Sequence, residues 1–432
     1  VQSTSRGKIL TKASVHLWIR ARKALGLLLA AGALLIWINA SLAANDQPIK
    51  IGFLVPLSGV AAGSGPDLLN GMKLFLDENH NQLAGRPVQL VIENDESSAA
   101  AAIGKMHKLV EDDKVDILAG LILSNMALAA APKADAYHVP LVLPLSAADD
   151  LTKRKRYKWV IRTGWSSSQP AHPFGEYVYN KLHYKKVAVL GVDFPMAWEM
   201  VGGFQRTFEE CGGKIVQKIW APLGFKDFKD PISHLTKDAD AIFVMSAVDS
   251  ADIIAHQIKQ YGPPLPIIGG GPSYDETTIH NVGDVTAGAI TPFHYSAVLD
   301  RPEMKRFNAA YRKKFNQEPG QFAESAYVAG MVIKSALDSL HGDTSDKEKL
   351  LAALKHVDVP DAPRGPIKMD EYGNPIENVY VRRVQKMNGH LENVVIDTFP
   401  HVSQFWKWDP AEFLKQPPYT RDYPPCKNCT EK

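Results

Sequence analysis

The feature that most constrains this chain is an alternation of short runs rich in Val, Ile and Leu with longer stretches of helical periodicity. It begins at Pro48 and restarts near Lys185. In the first run "IKIGFLVPLSG", "PVQLVIEND", "VDILAG" and "VPLVLP" read as strands. "GPDLLNGMKLFLDENH", "SSAAAAIGKMHKLVEDD" and "NMALAAAPKADAYH" read as the helices between them, the second with Ser as its cap. Strands that are apolar throughout belong to a parallel sheet covered on both faces. The second run repeats this with "KKVAVLGVD", "KIVQKIWAP", "ADAIFVMS" and "LPIIGGG" as strands. Its helices are "AWEMVGGFQRTFEECGG", "DFKDPISHLTKD" and "SADIIAHQIKQYG". The expected fold is therefore α/β, two doubly wound parallel-sheet lobes in tandem. A chain of 432 residues is long enough for each lobe to bury its own core.

Between the two runs lies "IRTGWSSSQPAHPFGEY", in which Trp165 stands among Thr, Gly and Ser. A packed strand would surround an indole with other apolar residues, and a plain solvent loop rarely carries one. The residues alone place Trp165 at the joint between the two runs, where packing of that joint is the plain reading. After "AGAITPFHY" come two helical stretches, "PEMKRFNAAYRKKFNQ" and "GQFAESAYVAGMVIKSALDSL". "VDVPDAPRGPIKMDEYGNPIENVYVRRVQK" then reads as a linker and a hairpin, with Gly373 and Asn374 in its turn. The last 30 or so residues, rich in Pro and aromatics, read as a strapping tail.

No nucleotide-binding loop is present. "GGGPSYDE" and "GLILSN" lack both the G-x-G-x-x-G spacing and the P-loop Lys, so they read as loops at strand C-terminal ends, where open α/β sheets hold ligands. None of the 14 His falls in H-E-x-x-H, and there is no G-x-S-x-G elbow. His172 beside Ser166 to Ser168 is the one cluster that suggests hydrolysis, and it has no evident carboxylate to orient it. No metal, cofactor or catalytic residue is expected.

Residues 1–43 carry six Lys/Arg and no acid. An apolar run from Ala24 to Ile38 follows, then "NASLAAND", with Ser41 and Ala43 suited to the minus-three and minus-one positions. This is expected to be a signal peptide that sends the chain to the periplasm, a membrane anchor being the alternative reading. Its removal leaves 43 Lys/Arg against 47 Asp/Glu, a formal charge of −4, and nothing basic to attract nucleic acid. Of the three cysteines, Cys211 is expected to be a buried small side chain at a helix end. Cys426 and Cys429, in the Pro-rich tail, form a C-x-x-C without a second pair to complete a zinc site, so a tail disulfide or a free pair is expected.

The stretches "IKIGFLVPLSGVAAGSGPDLLNGMKLFLDE", "LAGRPVQLVIENDESSAAAAIGKMHKLVEDDKVDILAG", "IRTGWSSSQ" and "GEYVYNKLHYKKVAVLGVDF" resemble type I periplasmic binding proteins of the leucine/isoleucine/valine-binding family, the solute receptors of ABC importers. More weakly, "FPHVSQFWKWDPAEFLKQP" resembles the aromatic-acid binders within it. The resemblance implies two lobes joined by three crossings: "IRTGWSSSQ", "TPFHY", and a segment near Pro360 to Pro366. Lobe I would be 48–162 plus 295–360, lobe II 165–292 plus 364–400, and the tail 401–432. Its partners would be a small solute and a membrane permease, the receptor itself a monomer.

The same resemblance places the solute against Ser124, Ser146, Ala147, Trp165, Met196, Val248, Gly271 and Tyr274. In amino-acid binders the solute's carboxylate is held on lobe I by a backbone N–H and hydroxyls, and its ammonium by an acid on lobe II. Here Ser124 matches the first hydroxyl, Ala147 stands where Thr is usual with Ser146 beside it, and Gly271 falls where the acid belongs. A desolvated ammonium without a countercharge costs several kcal/mol. The expected solute is therefore a hydrophobic or aromatic carboxylate. Asp275 and Glu276 remain the alternative amine partners, and Arg162 either holds an anion or fixes the hinge.

Overall fold

The computed structural model describes residues 47–247 and 250–429, so the expected leader and Val248 lie outside the described residues. Both halves form doubly wound sheets. The first contains β1 (Ile49–Val55), β2 (Gln82–Leu83), β3 (Arg86–Asn94), β4 (Ile117–Gly120), β5 (Leu141–Leu143) and β6 (Val160–Arg162), in the order β2-β3-β1-β4-β5-β6. All pairs are parallel except the short β2–β3 pair. β1 sits centrally, with Ile51 opposite both Leu90 and Ile117. Its side chains are buried on both faces, which is why it reads as an unbroken apolar run rather than an alternation.

The second sheet contains β7 (Lys186–Asp193), β8 (Lys214–Pro222), β9 (Ala241–Met245), β10 (Ile267–Gly269) and β11 (Ile290–Phe293). To these it adds β12 (Asp358–Val359), β13 (Ile367–Met369), β14 (Pro375–Met387) and β15 (His390–Val402). β7 to β11 are parallel, and β14 lies antiparallel to β11 with Thr291 opposite Arg382. Alternate residues of β9 face opposite ways. Phe243 and Met245 join the core that contains Trp165, while Ile242 and Val244 join the core on the far face.

Several expectations need correction. The hairpin turn at Gly373 and Asn374 is present, joining β13 to β14. However, β14 runs on for 13 residues and folds back on a second 13-residue strand, β15, in a stretch given to the second lobe without a strand of its own. The signal was an Asn-Gly pair: Asn388 and Gly389 both take positive φ, 53° and 88°, the backbone a tight hairpin requires. "DFKDPISHLTKD" yields only the short helix Lys229–Ser233. Cys211 is half-buried rather than buried, while Cys426 and Cys429 are joined in a disulfide.

The helix Gln321–Ser339 packs Phe322, Ala326, Ala329, Val332, Ile333 and Leu337 into the core of the first sheet. The chain thus returns to the first lobe after β11, where Val359, Ile367 and Met369 still pack in that core, and rejoins the second core along β14 with Tyr380 and Val381. In each sheet the strand order reverses beside the first strand, and the loops after β4, β5, β7 and β10 leave from strand C-terminal ends. A cleft at such a point is where α/β sheets take ligands. Among the described residues no helix is long and apolar enough to cross a membrane.

Candidate functional site

Ser124 opens the helix Ser124–Tyr137 directly after β4. Its Oγ accepts hydrogen bonds from Ala147 N at 3.2 Å and Ala148 N at 3.1 Å, which fixes the loop after β5 against the helix start. A hydroxyl that accepts twice still has its own proton to donate, and the first N–H groups of a helix lack intrahelical partners. The end of this helix therefore favours an anion. Ser146 is different. It is fully buried and its Oγ donates to Leu121 O at 2.9 Å, so its proton is committed to holding the ends of β4 and β5 together.

Trp165 is 3% exposed and packs edge-on to Phe293, with ring centroids 5.2 Å apart. It stacks on His294 at 5.8 Å. Ala147 belongs to the same apolar cluster, and half-buried Met196, at the start of the helix Pro195–Glu210, packs against it. Leu74 and Ala323 enter the cluster from the first lobe. Of the expected residues, Ser124 and Ala147 are joined by a hydrogen bond, Ala147 and Trp165 share one large apolar cluster, and Met196 packs at its border.

Gly271 opens the 3-10 turn Gly271–Tyr274 after β10. A Cβ there would lie 2.6 Å from the Phe293 ring and from Pro292 O, so the backbone leaves no room for a side chain. Tyr274 does not join the group. It is buried on the far face of the second sheet among Leu190, Val192 and Ile254, and that burial raises its phenol. Asp275 caps the helix Glu276–Val282 through Thr278 N at 2.8 Å and accepts from Gln321 Nε2 at 2.7 Å. Glu276 lies 3.6 Å from Arg382 and accepts from Ala297 N. Both acids are engaged inside the protein.

The hinge is held by charge as well as packing. Arg162 donates to Asn374 Oδ1 at 3.0 Å and to Ala148 O, and burial lowers it to about 10. This is the hinge-fixing role. The Glu199 carboxylate accepts from Asp149 N with both oxygens at 3.1 Å, linking the helix Pro195–Glu210 to the loop after β5. Burial, and then the charge of Asp149, raise Glu199 well above the usual carboxylate range. His172 binds Tyr419 OH at 3.1 Å beneath the tail, while Ser168 bonds to Asp149 and Lys153 and Ser167 to Ala147 O. Ser167 and Ser168 are thus held by structural bonds, while the buried Ser166 Oγ has no partner within the protein.

Sequence reasoning missed His294. It is 1% exposed, and neither ring nitrogen has a partner within the protein; the Trp165 Nε1 beside it also has none. Burial, followed by the nearby Arg364 and Arg382, pushes the imidazole well below its ordinary pKa, so it is neutral. The residue lies in "TPFHY", read as a crossing, where nothing in the sequence marks it as unpartnered.

The chain matches the periplasmic binding protein family over residues 48–389. It is 26% identical over 377 residues to the Leu/Ile/Val-binding protein homolog 6 of Brucella melitensis, covering 85% of this chain and 95% of that one. Among solved structures it is similar to an ABC transporter substrate-binding protein from Sphaerobacter thermophilus, with 30% identity and a TM-score of 0.79, over 83% of this chain and 99% of that one. It is also similar to an ABC transporter solute-binding protein from Rhodopseudomonas palustris BisB5 in complex with 3,4-dihydroxybenzoic acid. That pair shares 29% identity at a TM-score of 0.77, over 83% of this chain and 98% of the other.

Proposed function

We propose that this chain, which belongs to the periplasmic binding protein family, is the solute receptor of an ABC importer and that its solute is a small aromatic carboxylate. The observation that carries the reading is the state of the second lobe's acids. Gly271 leaves no room for a carboxylate, Asp275 is consumed as a helix cap and by Gln321, and Glu276 faces Arg382. An ammonium closed into this cleft would be desolvated without a countercharge. A carboxylate has the Ser124 hydroxyl and the start of the helix Ser124–Tyr137, and an aromatic body has Ala147, Trp165 and Met196.

In this reading the lobes are 48–162 plus 295–360 and 165–292 plus 364–400, and residues 1–43 direct the chain to the periplasm. It works as a monomer that captures its solute unaltered and presents it to a membrane permease. The names of the Brucella relatives keep a branched-chain amino acid as the second reading. A thermal-shift screen of residues 44–432 with benzoates, fatty acids and amino acids separates the two. A true ligand at 100 times its Kd adds about 2.7 kcal/mol. A clear shift with leucine or valine, and none with any aromatic acid, would overturn the proposal.

A further inference from the structure

We propose that His294 and the Trp165 indole N–H form the far end of the solute site and select a hydroxyl group on the ring of the bound acid. This rests on the aromatic-acid reading and narrows it to hydroxylated members of the class.

Several polar side chains at the crossings are fully bonded within the protein. Gln169, a few residues from Trp165, donates to Pro375 O and Val402 O and accepts from Ser166 N. Asn374 bonds to Gln169 and Arg162, and Arg364 uses every guanidinium nitrogen. Arg162 Nε, Thr163 Oγ1 and Ser166 Oγ of the first crossing are single buried atoms without partners, whereas Trp165 Nε1 and both nitrogens of His294 are buried without partners together, on two rings stacked 5.8 Å apart. Buried polar atoms are nearly always paired, so a cluster of unpaired ones on two adjoining side chains marks a place where something else completes the bonding.

The chemistry of the missing partner follows from the donors and acceptors. A neutral imidazole offers one N–H donor and one bare nitrogen acceptor, and an indole offers a donor only. A carboxylate could use the donors but would face the bare nitrogen with a second lone pair. A hydroxyl does both jobs, donating to the imidazole nitrogen and accepting from the indole N–H. Ser124 Oγ binds Ala147 N, and Ala147 and Trp165 belong to one apolar cluster. A solute with its carboxylate at Ser124 would lie against that cluster, with Trp165 and His294 at its other end.

The test is calorimetry of residues 44–432 with 4-hydroxybenzoate and benzoate. A site built to bond a hydroxyl rejects the analogue lacking it strongly, so the hydroxylated acid should bind at least about 30-fold tighter. His294→Phe keeps the stack and removes the bonds; it should weaken 4-hydroxybenzoate alone and bring the two Kd values within about threefold. His294→Gln, which keeps a donor and an acceptor, should recover part of the preference, and circular dichroism verifies that each variant is folded. Equal Kd values for the two acids in the parent would overturn this inference and leave the aromatic-acid reading standing. So would a His294→Phe variant that loses both acids in proportion, which would make His294 a carboxylate or packing group. If neither acid bound, the aromatic-acid reading itself would fall, and this inference with it.

Discussion

Arg364 and His294 are both fully buried basic side chains at the joints between the lobes, and their surroundings are opposite. Arg364 donates through Nε to Glu377 at 2.9 Å, through Nη1 to Glu324 at 2.9 Å and through Nη2 to Thr163 O, while its own carbonyl accepts from Tyr380 OH at 2.6 Å. Those contacts join the first crossing, the third crossing, the helix Gln321–Ser339 and β14. Burial pushes Glu324 and Glu377 up, yet the two carboxyls hold the guanidinium above its usual value despite its own burial. His294, at the second crossing, has no partner at either nitrogen. At equal depth, the Arg364 guanidinium is fully bonded within the fold, whereas both nitrogens of His294 are left without a protein partner.

The comparison predicts its largest effect at Arg364. Replacing it with Leu leaves Glu324 and Glu377 buried together without a countercharge, which should cost about 3–5 kcal/mol. His294→Phe removes atoms that were never bonded and should change stability by less than about 1 kcal/mol. Chemical denaturation of the two variants beside the parent measures both. Equal losses would break the distinction drawn here.

The next effect in size belongs to Trp165. If it closes over the solute, Trp165→Ala should weaken binding by about 1–3 kcal/mol, while Trp165→Phe should retain binding and remove most of the ligand-induced fluorescence change. Trp198 and Trp406 contribute background that the solute should not move, because their indole N–H groups are held by Asp193 and Glu176. Calorimetry showing parent-like affinity for Trp165→Ala would make that residue hinge packing only.

The legibility of these parts in the sequence differs for physical reasons. The parallel strands were visible because burial on both faces demands uninterrupted Val, Ile and Leu, as in β1 and β9. β15 was not, since it is half-exposed and polar and its one strong signal is the Asn388-Gly389 pair at the turn before it. Trp165 stood out as an indole in a polar tract, and Ser124 through its strand-end loop. Tyr274 was misplaced because the face taken by a side chain in a four-residue 3-10 turn depends on neighbours distant in sequence. Asp275 and Glu276 show the same limit from the other side: an acid is visible in the sequence, but the cap and the arginine that engage it are not. His294 is the extreme case, since an unmade bond has no sequence signature.

The smallest effect is expected in the tail, which tests whether the lock at the hinge extends beyond Arg364. Gln404 accepts from Thr152 and Gln416 O from Arg154, both in the segment after β5, while Pro424 O accepts from Lys218 and Pro425 O from Gln205 in the second lobe. Phe405, Phe413 and Tyr419 form the tail's own apolar cluster, with the Arg206 guanidinium 3.6 Å from the Trp408 ring centroid. The Cys426–Cys429 disulfide closes a loop of only a few residues at the far end. A loop that short constrains the unfolded chain by about 2 kcal/mol at most, and only locally. Cys426→Ser should therefore speed proteolysis after about residue 420 and leave the global melting temperature and the solute Kd within error of the parent. A tenfold change in Kd would mean that the end of the tail restrains the hinge, and that the lock at the third crossing is one part of a larger clasp.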